Sequence, residues 1–272
     1  MSTFRLFLFF FFTVMLSSAA VDVPKDADEI LRFSAQKMAG YKSWSADYRQ
    51  STDAMLAKMD MTGTMSFKQP GLIRMAADML MRGTTNKMLM VQGGDRIMWQ
   101  EMTSMGQKQI MKWDWIRMPT NSPLAVAMKS KTFNPQDKWK TYCESYDYTL
   151  VGTGTLNGQP VFVLDGVPKK DVPAYVRRAN MHEAMGKSCL SIGQRDGFPY
   201  KMEQFYPNKA KIFTYIEYTN VKFDPALPDS LFKYQPRDDA NVMDMAVIMK
   251  QMAAPPKASS SPVYSGQEKA TP

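Results

Sequence analysis

The 272-residue chain contains only two cysteines and one histidine. Such scarcity leaves no set for a zinc cluster, a disulfide-dense scaffold or chemistry built on several histidines. Long apolar runs are missing after the first twenty residues, and the mean hydropathy is negative, which excludes a polytopic membrane protein. There is no Gly-x-Ser-x-Gly and no phosphate-binding glycine loop. A metalloprotease helix would need a second histidine four residues after His182, and Gly186 stands there. No catalytic residue is assigned, the chain is read as a non-enzyme, and no cofactor or resident metal is expected. The net charge of +8 is spread out, with no basic block longer than Lys169-Lys170 or Arg177-Arg178, so the clustering of a nucleic-acid footprint is absent. Scattered charge fits a solvated surface, or at most a weak attraction to anionic lipid. Methionine is what the chain has in excess: 25 residues, about one in eleven and several-fold above ordinary usage.

The first twenty residues read as an export signal. Arg5 is followed by an apolar run over 6–16, then by Ser17, Ser18, Ala19 and Ala20, with cleavage expected after Ala19 or Ala20. Eleven apolar residues are about half of the ~20 that a spanning helix needs. Residues 21–252 are then expected to form one domain. Residues 253–272, rich in Pro, Ser, Ala and Lys, read as a disordered tail.

Asp26 and Glu29 have the spacing of a capping box, and Leu31, Ala35 and Met38 place an apolar stripe on a helix ending near Gly40. From Ser43 the period changes to two: Trp44, Ala46 and Tyr48 alternate with polar residues. The alternation continues through Met55, Ala57, Met59, Met61, Gly63, Met65 and Phe67, and after the turn Gln69-Pro70-Gly71 through Ile73, Met75, Ala77, Met79 and Met81. Two long strands with one apolar face make an antiparallel hairpin whose inner side is largely methionine. Shorter strands are expected at 87–92, 96–101, 108–113, 145–152, 160–167, 188–194, 200–206 and 210–223, with helical or irregular stretches at 119–130 and 171–187. About ten strands without βαβ alternation predict a mainly β, α+β fold: one large antiparallel sheet, curled or nearly closed.

In order along the chain, these segments resemble the LolA-like, outer membrane lipoprotein-sorting family of periplasmic lipoprotein carriers and their receptor LolB. The stretch 41–50 (Tyr-Lys-Ser-Trp-Ser-Ala-Asp-Tyr-Arg-Gln) is similar to that family's first strand. Residues 63–74 are similar to its glycine-led strand, proline turn and third strand, and 93–99 (Gly-Gly-Asp-Arg-Ile-Met-Trp) to a glycine-to-tryptophan strand. Residues 157–164, 194–201 and 228–236 resemble its later elements. The resemblance implies a half-open β-barrel whose helices form a lid over an apolar cavity for acyl chains of a lipoprotein or lipid. It further implies a monomer with membrane contact that is peripheral at most, served by an inner-membrane donor and an outer-membrane acceptor. Where the carriers have an arginine before the strand-ending proline, this chain has Gln69. That departure puts a closed-when-empty latch of the family type in question, and lipoprotein as the cargo with it.

The cavity wall is expected from Trp44, Ala46, Tyr48, Met59, Met61, Met65, Phe67, Met75, Met79, Met81 and Trp99. The methionine face has three readings: plain core, a compliant wall that repacks around ligands, or a Cu(I) site of thioethers. The M-x-M pairs 59/61, 79/81 and 88/90 lie about 7 Å apart along a strand, too far for one ion without help. His182, Met185 and Cys189 could form a copper site, with a plain surface histidine as the alternative. Cys143 and Cys189 are a candidate disulfide in an oxidising compartment, with two separate buried thiols as the alternative. The expected function is a periplasmic carrier that shelters acyl chains. Its alternatives are a periplasmic copper-handling protein and an envelope structural or sensing module.

Overall fold

Asp26 starts the first helix, α1 (Ala27–Gly40). Its carboxylate accepts from the Glu29 N–H at 2.8 Å, and the Glu29 carboxylate reaches back to the Lys25 N–H at 2.8 Å. The Asp26 cap is the one the spacing predicts, while Glu29 reaches one residue beyond the N-cap N–H that a capping box would pair. The buried stripe of α1 is Ala27, Ile30, Leu31, Ser34 and Met38. Ala35, expected to face inward, is exposed. Ser34 takes the inner position because its Oγ donates to the Gly197 carbonyl at 2.6 Å, where a Cβ on Gly197 would lie 3.0 Å from the Ser34 Cα.

The structure, a computed structural model, describes residues 24–54, 57–118, 143–170, 186–207, 209–237 and 239–253. The readings made for 1–20, 119–130, most of 171–187, His182 and the tail after residue 253 lie outside them. Among the described residues the strands are β1 (Ser43–Ala54), β2 (Ala57–Lys68), β3 (Leu72–Met81), β4 (Thr84–Gln92), β5 (Ile97–Ser104), β6 (Gln107–Asp114), β7 (Tyr146–Leu156), β8 (Gln159–Pro168), β9 (Ser188–Gly193), β10 (Pro199–Phe205), β11 (Ile212–Phe223) and β12 (Val242–Asp244). A second helix, α2 (Met245–Ala253), follows β12.

All twelve strands form one curled sheet in the order β12-β6-β5-β4-β3-β2-β1-β11-β10-β9-β8-β7. The first and last strands do not pair with each other, so the barrel stays open. Every pairing is antiparallel except β12 on β6. β12 was not expected: three residues are too few to show a period, and it is placed by pairing Val242 with Ile110.

One face carries the main core. Trp44, Ala46 and Tyr48 of β1, Met61 and Phe67 of β2, Ile73, Met75 and Met79 of β3, Met90 of β4 and Met98 of β5 are buried in a single cluster with Met38 of α1 and Ala246 of α2. A second cluster sets Ala27, Ile30 and Leu31 of α1 against Tyr146, Tyr148, Phe162, Leu164, Leu190 and Ile192. The other face of β3–β6 is covered by the chain between β11 and β12. Lys68 Nζ donates to the Leu227 carbonyl at 2.8 Å and pairs with Asp229 at 2.6 Å, and Tyr234 donates to Glu101 at 2.8 Å. Among the described residues, no helix is long and apolar enough to cross a membrane.

Candidate functional site: a methionine-lined inner face

Antiparallel pairing places facing residues on the same side of a sheet, so the register shows which side chains share the inner face. One row runs Ala46, Met65, Met75, Met90, Gln100, Met111 across β1–β6. The next runs Tyr48, Gly63, Ala77, Met88, Met102, Gln109. Beyond it come Gln50, Met61, Met79, Asn86, and then Thr52, Met59, Met81, Thr84. Methionines of four neighbouring strands therefore stand side by side. Two thioether sulfurs receive polar hydrogens: Tyr218 Oη donates to Met65 Sδ at 4.0 Å and Gln100 Nε2 to Met88 Sδ at 3.8 Å.

Of the residues expected to line a cavity, Trp44, Ala46, Tyr48, Met61, Phe67, Met75 and Met79 are brought together and buried, with Met59 and Met65 half-buried against them. Met81 reaches the rim and is 39% exposed. Trp99 is not with them. It faces Val91 and Lys112 in the row that includes Arg74, one residue out of step with the inner rows, and its ring meets Tyr234 at 5.5 Å on the opposite side of the sheet. The parity of β5 is thus the reverse of the one expected: Met98 and Met102 face inward. Met88, Met90, Met98, Met102 and Trp113 complete the face, and only the 88/90 spacing had signalled part of it.

An aromatic group closes one end. Trp44 meets the Phe198 ring edge-on at 5.3 Å and Tyr218 at 5.9 Å, and Phe198 meets Phe223 at 5.6 Å. The end of α1 is fastened above it. Tyr41 stacks on Phe223 at 4.4 Å and donates to the Asp196 carbonyl at 2.8 Å. The Asp196 carboxylate accepts from the Phe198 N–H at 2.8 Å and from Tyr200 Oη at 2.7 Å. Gln69 Nε2 donates to the Ala39 and Tyr41 carbonyls at 3.0 and 2.9 Å. The residue that departs from the family pattern thus still holds the helix, through its last carbonyls. Burial first, then Asp196 and Asp224, push the Tyr41 hydroxyl up to about 12.

Three buried polar atoms on this face have no partner among the described residues: Trp44 Nε1, Trp113 Nε1 and Gln92 Oε1. The Gln92 amide is oriented by its Nε2, which donates to the Gly71 carbonyl at 3.2 Å. Leaving a buried donor or acceptor unpaired costs about 1–3 kcal/mol each, and the three groups share one row of the sheet.

The recess of about 560 Å³ lined by Arg49, Ser51, Asp53, Lys58, Lys211 and Tyr215 lies on the other side of β1 and β11. Lys211 is paired with Asp53 and Lys58 with Asp60. It is a surface recess of mixed character, Ile212 and Phe213 also lining it, and is not continuous with the methionine face.

The bond expected between Cys143 and Cys189 is not formed, and both thiols are free. Cys189 Sγ donates to Asp165 Oδ1 at 2.9 Å, and Lys187 pairs with the other oxygen of that carboxylate at 2.6 Å. Cys143 packs instead against the second core cluster. Burial pushes Cys143 up to about 11, and burial with Asp165 pushes Cys189 up to about 12. Because the thiolate is the nucleophile and soft-metal ligand, both sulfurs are chemically quiet. Iodoacetamide at pH 8 is expected to label the folded protein at least about tenfold more slowly than the urea-unfolded chain. Labelling that required prior reduction would show a disulfide instead. Among the described residues no group of three or more His, Cys, Asp or Glu could hold a metal ion, and Cys189 does not join the methionines.

What the fold and this face define is an open, curled β-sheet whose apolar concave side lies under helices. No known protein family and no curated protein matches the sequence. Among solved structures, the chain is similar to lipoprotein LppX of Mycobacterium tuberculosis, with 13% identity over 73% of this chain and 95% of that one and a TM-score of 0.42. It is also similar to LprF of Mycobacterium bovis, with 12% identity, 74% and 93% coverage and a TM-score of 0.43. A LolA superfamily protein of Nitrosomonas europaea aligns with 14% identity, 78% and 99% coverage and a TM-score of 0.28.

Proposed function

We propose that the protein is an exported, periplasmic carrier that shelters the acyl chains of a lipid or lipidated protein between the methionine face and its covering helices. The observation that carries this reading is the in-register bank of methionines across β2–β5. A wall meant only to pack is served as well by leucine and isoleucine. Unbranched, polarizable thioethers differ from these in repacking at little cost around guests of different shape. Each methylene moved from water into such a face contributes about 0.8 kcal/mol, so a long chain is held firmly, and release requires the cover to lift. Export by the leading segment and delivery from a donor to an acceptor membrane protein belong to the same proposal.

Native mass spectrometry of protein isolated from its own compartment is expected to show a bound lipid. After delipidation the protein is expected to bind a fluorescent long-chain fatty acid. Failure of the delipidated protein to bind any long-chain probe would overturn the reading. Retention of Cu(I) with no lipid would favour the thioether–copper alternative.

A further inference from the structure

The three unpaired polar atoms of the inner face are not scattered. Trp44 faces Phe67, Phe67 faces Ile73, Ile73 faces Gln92, Gln92 faces Met98, and Met98 faces Trp113. Two indole N–H donors and one amide carbonyl therefore stand in a single transverse row, otherwise apolar, at the end of the methionine bank. Trp44 is 1% exposed and Gln92 3%, so water does not satisfy them, and neither indole nitrogen nor the amide oxygen has a partner among the described residues. Native interiors rarely leave such groups unmatched.

We propose that this row binds the uncharged polar linkage of an acylated ligand. The indole N–H groups donate to ester or amide carbonyl oxygens, and Gln92 Oε1 accepts from a hydroxyl or amide N–H. This rests on the carrier reading and specifies its cargo: neutral acyl esters or amides that also bear a donor, in preference to free fatty acids. The electrostatics point the same way. The charged side chains next to the row in sequence, Lys68, Arg74, Lys112 and Asp114, occupy the rows of opposite parity. Lys68 is engaged with Asp229, Arg74 is directed at the Leu231 carbonyl, and Lys112 lies over the Trp99 ring. No cation of the row itself is available to neutralise a carboxylate head, which would be buried at high cost.

The spacing suits a branched head. Gln92 and Trp113 are two strands apart, about 10 Å between backbones, within side-chain reach of one glycerol-sized linkage. Trp44, three strands from Gln92 on the other side, takes a second acyl linkage. From this row the inner face continues past the four methionine-bearing rows, about 27 Å along the strands, which gives the chains their bed. Carbonyl readout at one end and a compliant apolar bed beyond it would select for the linkage while tolerating the chains.

The test uses the delipidated full-length protein with three probes of one chain length: a 1-monoacylglycerol, the corresponding fatty acid, and a pyrenyl alkane lacking any carbonyl. The wild type is expected to bind the monoacylglycerol about tenfold more tightly than the fatty acid. Gln92→Met, which nearly keeps the volume and removes the polar atom, and Trp113→Phe, which removes the N–H together with part of the ring, are each expected to weaken monoacylglycerol binding at least about fivefold. Gln92→Met should leave pyrenyl alkane binding unchanged, which certifies that this variant is folded, and Trp113→Phe should lower alkane binding less than monoacylglycerol binding. Trp44→Phe serves as a third variant with the same expectation for a diacylglycerol probe. Equal loss for both probe types, or no loss for either, overturns the proposal and leaves the carrier reading standing. A wild type that binds none of the three overturns both.

Discussion

Gly63→Ala is expected to cost about 3 kcal/mol of folding stability, a large fraction of the roughly 5–15 kcal/mol that holds a typical domain folded. Gly63 lies in the middle of β2, between Tyr48 of β1 and Ala77 of β3. A Cβ built there would sit 2.0 Å from the Ala76 carbonyl oxygen and 2.5 Å from the Ala77 Cα. Both are backbone atoms, so no rotamer change relieves the clash, and one strand must move away from the other. A glycine inside a strand marks a close backbone approach of this kind, and this one lies at the centre of the methionine face. Gly154 in β7 is the control: its nearest would-be neighbour is a Val163 methyl at 3.8 Å. Gly154→Ala is expected to be neutral or mildly stabilising. Urea unfolding of the two variants beside the wild type checks the pair, and equal midpoints would refute the account.

The parts of this architecture that could be read from the sequence are those where a single element carries its own signal. Asp26 and Glu29 fixed the start of α1, and β2 and β3 announced themselves because only one of their faces is apolar. Where both faces are covered, alternation loses its meaning. β5 carries Met98 and Met102 inward and Trp99 outward against Tyr234, so the larger ring drew the assignment to the wrong side. Ser34 was missed for a related reason, since a hydroxyl facing the Gly197 carbonyl looks polar by composition and is buried by partnership. The unpaired row of Trp44, Gln92 and Trp113 is a property of register across six strands. One-residue slips in any strand pairing would dissolve it, and no local pattern encodes register over such a distance. The order of motifs along the chain did carry the broad outcome, a curled and open sheet.

Asp196→Ala is expected to lower stability by about 3 kcal/mol and to loosen α1 before the sheet. The carboxylate holds the Phe198 N–H and the Tyr200 hydroxyl. Both donors are left in a buried setting when it is removed, since Phe198 is 1% exposed and Tyr200 6%. Hydrogen bonds to a charged group are the costly ones to break, at about 1.5–3 kcal/mol each. The turn they organise carries Gly197, whose carbonyl receives Ser34, and the Asp196 carbonyl, which receives Tyr41. Both partners belong to α1 or its exit, so disorder in the turn passes directly to the helix over the aromatic end. Amide exchange of 27–40 should therefore quicken more than that of β1–β3, and an apolar dye should bind the variant more strongly as the inner face is uncovered. The same contacts set the alkaline limit of the wild type. Burial, aided by Asp196, raises the hydroxyls of Tyr41 and Tyr200, Tyr41 to about 12. A folded-state value above the unfolded value near 10 means that this stabilisation is complete below pH 10 and is lost as pH rises toward 12. In the variant part of the rise is gone, so tyrosinate absorbance should appear at lower pH. Asp196→Asn keeps an acceptor for the Phe198 N–H while removing the charge, and should fall between the two. If helix exchange and sheet exchange quicken together in Asp196→Ala, the turn is supporting the whole domain and α1 is not a separately opening cover.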